Sequence, residues 1–339
     1  MHKKIRFIDL FCGIGGFRYA LESIAWQRKI NAQCVFSSDI NSECRKSYQA
    51  NFNETPYSDI TKINEKDIPD HDILLAGFPC QPFSILGQRK GFEDTRGTLF
   101  FDIARILHEK RPAAFVLENV KTLERHNGGK TLGRILQTLS DMNYYTDYRV
   151  LNALDFGLPQ KRERIWIAGI NGNGPIHWPK GGVPMTPLSE ILEKDVPEKF
   201  YASEHIKRKR YSVKKPTNEP TIWHENKAGH ISVYPFSCAL RAGASYNYLL
   251  VNGERRLTPR EMLRLQGFPE RFQLVCNDAQ TRKQAGNSLP VKVAEAVIDC
   301  VFDAMGWGAG AIYGRREDQI QMRLFEGKKK YEAAKTKKC

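Results

Sequence analysis

The sequence predicts an α/β fold, a mostly parallel sheet with helices on both faces, followed by a second, smaller and irregular lobe. Three observations carry this expectation. Short apolar runs alternate with helix-length stretches from residue 5 to about residue 170. A glycine-rich turn directly follows the first run, and the alternation stops after Trp178. A β-α-β-α rhythm of this kind buries strands between helix layers and favours parallel pairing.

Taken in order, Ile5–Phe11 is the first strand, and a helical stretch runs from the Gly-rich turn to about Arg28. Gln33–Ser38 is the second strand, with a helix from about Asn41 to Ala50. Asp72–Gly77 reads as the third strand, Thr98–Lys110 as a helix and Ala113–Leu117 as another strand. A helix near Thr131–Met142 leads into two more strands, Tyr144–Leu151 and Arg164–Ile170. From about Trp178 to about Asn252 the chain is rich in Pro and Gly, with Tyr and Trp among basic residues. Helical patterns return at Arg260–Gln266 and Val291–Met305, and the last is expected to pack back on the sheet. The large domain is therefore expected to be discontinuous, 1–178 with 284–306, the second lobe to span 179–283, and 307–339 to be a basic extension.

Composition narrows the function. The 339 residues carry 52 Lys and Arg against 38 Asp and Glu, a formal charge of +14, which suits a polyanionic partner. One basic cluster is Lys207-Arg208-Lys209-Arg210, another the lysine-rich C-terminus. No C-x-x-C spacing occurs among the eight cysteines, so no metal site is expected. No apolar run is long enough to cross a bilayer, and Met1–Arg6 shows no cleavage pattern, so a cytoplasmic protein is expected.

Four motifs carry chemistry. Phe11-Cys-Gly13-Ile-Gly15-Gly16 opens a helix, where glycines admit a close ligand and the helix start offers free N–H groups. Asp39 closes the second strand, where a carboxylate reaches ribose hydroxyls, and Asp59-Ile60 lies beyond it. On these alone a nicotinamide dinucleotide site fits equally well. Gly77-Phe78-Pro79-Cys80-Gln81-Pro82-Phe83-Ser84 follows the third strand, at the edge where α/β sheets place their sites, and two prolines stiffen the chain around the thiol. A buried structural cysteine is the bland alternative; the Gly-rich, charged stretch that follows, resembling a lid, favours a nucleophile. Glu118-Asn119-Val120 sets a carboxylate on the same edge, where partial burial raises its pKa and lets it act as an acid. Gln160-Lys161-Arg162-Glu163-Arg164 puts two arginines on alternate positions of a strand, pointing the same way.

Together with L-T-P-R-E-M-L-R-L-Q-G-F-P and Q-A-G-N-S, in this order, these motifs resemble the cytosine-C5 DNA methyltransferases of bacterial restriction–modification systems, from about Ile5 to Met305. The resemblance implies a Rossmann-like, S-adenosylmethionine-dependent methyltransferase with a target-recognition lobe, acting on a cytosine flipped out of duplex DNA. It makes Cys80 the nucleophile at carbon 6 and Glu118 the group that engages N3 and the exocyclic amine. Arg164 would hold the O2 oxygen, and Arg162 would support the catalytic loop. Phe11, Gly13, Gly15, Gly16, Asp39, Ile40, Asp59, Ile60, Pro79, Leu99 and Asn287 would bind the cofactor, without a metal. Gln81, Ser84, Arg96 and the Lys207, Arg208, Lys209 and Arg210 cluster would touch DNA, and His224, Asn226, Lys227, His230 and Arg241 are candidates for reading bases. The sequence departs from the family pattern at Asp39, commonly Glu, and at Ala239-Leu240, where many members carry Thr-Leu. A tRNA methyltransferase of the same fold and a non-catalytic DNA-binding relative are the alternatives.

Overall fold

The computed structural model describes residues 4–79, 99–172 and 174–308. Its main sheet has six strands. β1 (Lys4–Leu10), β2 (Asn31–Ser38), β3 (Ile73–Gly77) and β4 (Ala114–Val120) pair in parallel. β5 (Tyr144–Asn152), the short β6 (Gln160–Lys161) and β7 (Glu163–Asn171) follow, and the sheet order is β2-β1-β3-β4-β7-β5. The mostly parallel sheet was legible in the alternation, but β7 runs antiparallel to both β4 and β5. Only one 3-10 turn, Ala153–Asp155, and the short β6 separate β5 from β7, too little for a parallel crossover, so the chain returns antiparallel.

Three helices link the parallel strands: α1 (Gly16–Gln27), α2 (Ser42–Phe52) and α3 (Leu99–Lys110); α4 (Lys130–Asp141) precedes β5. α2 begins where Asn41 accepts from the N–H groups of Glu43 and Cys44, and it ends at Asn53 in the left-handed region, the position that favours Asn or Gly. The sheet separates two apolar clusters. Phe7, Leu75, Val116 and Trp166 face one; Ile8, Leu74, Phe115 and Ile167 face the other. This alternation is the two-residue period of strands covered on both faces.

The irregular segment does contain regular elements. α5 (Leu188–Ile191) and α6 (Glu204–Tyr211) precede a small antiparallel sheet, ordered β11-β8-β9, of β8 (Ile222–Glu225), β9 (Ile231–Tyr234) and β11 (Leu249–Val251). β10 (Ser237–Cys238) pairs instead with β6 of the large sheet's connection, stitching the two regions together. α7 (Pro259–Leu265) starts with a complete capping box, Thr258 with Glu261. α8 (Asp278–Asn287) and α9 (Val291–Ala304) complete the described chain. Among the described residues no helix is long and apolar enough to cross a membrane.

α9 packs mainly on α1 and more lightly on β7 and β4 of the sheet on which it was expected to return. The joint is polar at its end: Arg28 pairs with Asp299 at 2.7 Å with both side chains buried, and donates to the carbonyls of Asp299 and Trp307. Removing one partner of a buried pair leaves an uncompensated charge. Asp299→Ala should therefore destabilise the fold by about 3–5 kcal/mol in urea denaturation, whereas the double substitution Arg28→Met with Asp299→Leu should recover most of that loss. Equal losses in the single and double variants would show that the pair does not hold the joint.

Candidate active site

A cleft of about 450 Å³ opens at the carboxyl ends of β1, β2, β3 and β4. Its wall begins with the turn after β1. Phe11 and Gly13 both adopt positive φ, 54° and 53°. This curls the turn back onto the end of β2, where Cys12 N–H donates to Ser38 O at 2.9 Å and Gly13 N–H to Asp39 Oδ2 at 2.8 Å. The other Asp39 oxygen accepts from Asn41 N–H at 2.8 Å. Burial raises the Asp39 pKa, and these two donors with Arg45 oppose the rise. Next to Asp39, Ile40 is 74 % exposed while lining the cleft, an apolar surface open to a ligand.

Phe11, Gly13, Gly16, Asp39, Ile40, Asp59, Ile60, Pro79, Leu99 and Asn287, drawn from six separate segments, all line this one cleft. Asp59 is fixed as an N-cap, accepting from Thr61 N–H and Oγ1, and the Thr61 hydroxyl lowers its pKa first. Gly15, at φ 86°, lies in the same turn, and a Cβ there would run into the Phe52 ring, so its lack of a side chain lets the turn pack on α2.

The other end of the cleft is charged. Glu118 on β4 meets Arg164 on β7, Nε to Oε1, at 2.9 Å. The antiparallel register makes this possible, pairing Val120 with Arg164 and Glu118 with Trp166. Burial raises the Glu118 pKa, with Arg164 and then Arg162 pulling it back. Asn119 between them was assigned nothing by the sequence. Its buried amide donates to Phe78 O at 2.9 Å, and its oxygen accepts from Val120 N–H at 2.8 Å. It thus anchors the chain that leads through Pro79 to Cys80. Only its place inside the Glu118 motif could have signalled this. Cys80, Gln81, Ser84 and Arg96 themselves lie outside the described residues.

Arg162 has a different setting from Arg164. It is buried, and its guanidinium donates to Leu240 O at 2.9 Å, Gly286 O at 3.1 Å and Ser288 O at 2.6 Å. Burial, then repulsion from Arg164, pulls its pKa down to about 9. The expected brace for the loop after Cys80 is therefore, among the described residues, a clamp on the segments around Leu240 and Ser288. Gln160, which sequence reasoning left without a role, completes it. Its Oε1 accepts from Leu240 N–H at 3.0 Å and its Nε2 donates to Leu265 O at 2.9 Å. Gly286 lies so close to this segment that a Cβ would meet the backbone nitrogen of Ala242.

The expected DNA contacts divide. Arg210 is a correction: it is fully buried, bonded to Glu225, to Asn247 O and to Trp223 O, and shores up the small sheet. Lys207 and Lys209 are tied to Glu204 and Glu225 at 2.8 and 2.7 Å, while Arg208 is exposed. Asn226 spends its side-chain oxygen on Ala228 N–H and His230 N–H, shaping the β8–β9 turn, whose tip exposes Lys227 and His230. His224 is half-buried edge-on to Tyr248, and Arg241 is exposed over the Tyr248 ring.

The chain resembles known proteins in sequence and in fold. Residues 5–303 match the family described as C-5 cytosine-specific DNA methylase. The chain is 52 % identical to the Type II methyltransferase M.NgoBI of Neisseria gonorrhoeae, over 92 % of this chain and 98 % of that one. It is 49 % identical to M.HaeII of Haemophilus aegyptius, over 96 % and 100 %, and 40 % identical to M.HhaI of Haemophilus parahaemolyticus, over 86 % and 93 %. In fold it resembles Spodoptera frugiperda DNMT2 with a TM-score of 0.68 at 21 % identity, covering 89 % of this chain and 100 % of that one. The chain belongs to the C-5 cytosine-specific DNA methylase family.

Proposed function

We propose that the protein transfers a methyl group from S-adenosylmethionine to carbon 5 of a cytosine flipped out of duplex DNA, as the methyltransferase of a restriction–modification system. The observation that carries this reading is the two-ended cleft, with Phe11, Asp39 and Ile40 at one end and the Glu118–Arg164 pair at the other. The first end suits an adenosyl group. Phe11 and the exposed Ile40 offer apolar faces for a flat ring, Asp39 a carboxylate for ribose hydroxyls, Asp59 an acceptor for an amine. When bound there, the cofactor supplies an electrophilic methyl group on a sulfonium.

The protein's own task is to make carbon 5 nucleophilic and to hold the base. Cys80, two residues beyond the Phe78 carbonyl that Asn119 anchors, adds as thiolate to carbon 6. Glu118 holds N3 in its protonated form, and Arg164 keeps Glu118 aimed while facing the O2 oxygen. After methylation, loss of the carbon-5 proton and of the thiolate restores the ring. Residues 1–178 and 284–306 form the catalytic domain in this reading, 179–283 the target-recognition domain, and 307–339 an appended basic extension. Lys227 and His230 are left as base-reading candidates, with the exposed Arg208 at phosphates and Gln81, Ser84 and Arg96 beside the target. The enzyme is cytoplasmic and monomeric, with its cognate endonuclease acting separately.

Cys80→Ala should abolish methyl incorporation into duplex DNA and leave cofactor binding by calorimetry nearly intact. With 5-fluorocytosine at the target, the wild-type enzyme should give an adduct that survives denaturing electrophoresis. Substantial methylation by the variant, or no shifted band, would overturn the covalent role. Bisulfite sequencing of DNA from expressing cells, set beside methyl incorporation into tRNA, tests the substrate assignment.

Glu118→Gln keeps the shape but supplies no proton, and should lower the single-turnover rate by roughly a hundredfold or more. Its pKa gives a second test. Burial raises it while Arg164 and then Arg162 lower it, so Arg164→Gln leaves burial opposed by Arg162 alone. The acid form then persists to higher pH, and the limb of the pH–rate profile belonging to Glu118 should move upward. A limb that stays in place or moves down would separate Arg164 from the acid.

A further inference from the structure

The cationic cluster that the sequence offered for phosphate binding is largely spent: Arg210 is buried, and Lys207 and Lys209 each hold a glutamate. A different place in the fold carries excess positive charge. Between the small sheet and α8 lies a hollow of about 140 Å³, the size that admits a single small ring. Four cations, Lys199, Arg241, Arg256 and Arg282, wall it, against one carboxylate, Asp278. That carboxylate is bound to Lys199 at 2.6 Å. The three arginines make no ion pair among the described residues. Arg256 and Arg282 donate to main-chain carbonyls, which orients them without neutralising them, and Arg241 lies over the Tyr248 ring.

The floor of the hollow is apolar. Tyr246 is 55 % exposed at its edge, with Arg282 covering one face at 4.5 Å, and Tyr248 and Leu257 lie beneath. The segment 240–246 that forms one wall starts at Leu240, which Gln160 and Arg162 hold beside the catalytic cleft.

We propose that this junction hollow seats one deoxyribose-phosphate unit of the DNA substrate, away from the flipped cytosine. The phosphate lies on Arg241 and Arg256, and the sugar ring packs against Tyr246 and Leu257. This rests on the DNA methyltransferase reading. A backbone unit is the occupant that matches both features, because duplex DNA presents an anion attached to a small ring at every step without unstacking a base. Such a contact fixes the register of the protein on the duplex and carries no sequence information itself.

The test uses the full-length enzyme with its cofactor and the cognate duplex identified by methylation. If the wild-type protein methylates no duplex, the functional reading fails, independently of this site. If it does, the salt dependence of binding is compared for wild type, Arg241→Gln with Arg256→Gln, and Lys207→Gln with Lys209→Gln. Each lost phosphate contact should flatten the plot of log affinity against log salt by about 0.9. The junction variant should flatten by about that much, the α6 variant by much less. A scan of single neutral methylphosphonates should find one position that weakens wild-type binding about tenfold and leaves the junction variant unaffected. Unchanged melting temperature and cofactor affinity certify the folded variants. An unchanged slope in the junction variant, or no methylphosphonate position that distinguishes it from wild type, overturns the proposal. So does equal sensitivity to the base at that position, which would make the hollow a base pocket.

Discussion

The site depends on one constraint of extended chain: residues two apart share a face. Gln160, Arg162 and Arg164 are spaced so: the first two converge on Leu240 and the third reaches Glu118. Gln160 and Arg162 grip the Leu240 peptide from its N–H and its C=O. Arg162 also takes the carbonyls of Gly286 and Ser288. Arg164 meets Glu118. Five residues thereby set the spacing between Glu118, the cleft wall contributed by α8 and the segment arriving from the small sheet.

The electrostatics follow from that arrangement. Arg162 is buried on carbonyls, which accept its protons but do not cancel its charge, and it stands near Arg164. Both arginines act on Glu118, and Arg164 acts more strongly because it touches. Burial raises the Glu118 pKa, and the two cations oppose that rise.

Much of the large sheet was legible because its strands are apolar on both faces and its helices have the length of a crossover. The direction of β7 was not, since a strand's residue pattern is the same whichever way it runs. In the second region, strands of three and four residues are too short to show a period. α8 hid for another reason: its buried positions are Thr281, Gln284, Ala285 and Gly286, which mark no apolar stripe. The cleft was more legible than the fold around it, since its residues sit at strand ends and turns. What sequence could not separate was free charge from committed charge. Lys207 to Arg210 reads as one basic run, yet on a helix its members face different directions, and Arg210 turns into the core.

The grip on Leu240 is made through its main chain. Gln160 takes the peptide N–H, Arg162 takes the carbonyl, and neither asks anything of the side chain. The Tyr248 hydroxyl likewise accepts from the Arg241 N–H. A segment held this way keeps its seat while its side chains change, apart from the tight approach of Gly286 to Ala242. Divergence in the residues from Arg241 to Ser245 is therefore cheap for the catalytic cleft. A lineage could exchange what this stretch presents to a ligand while inheriting the chemistry intact.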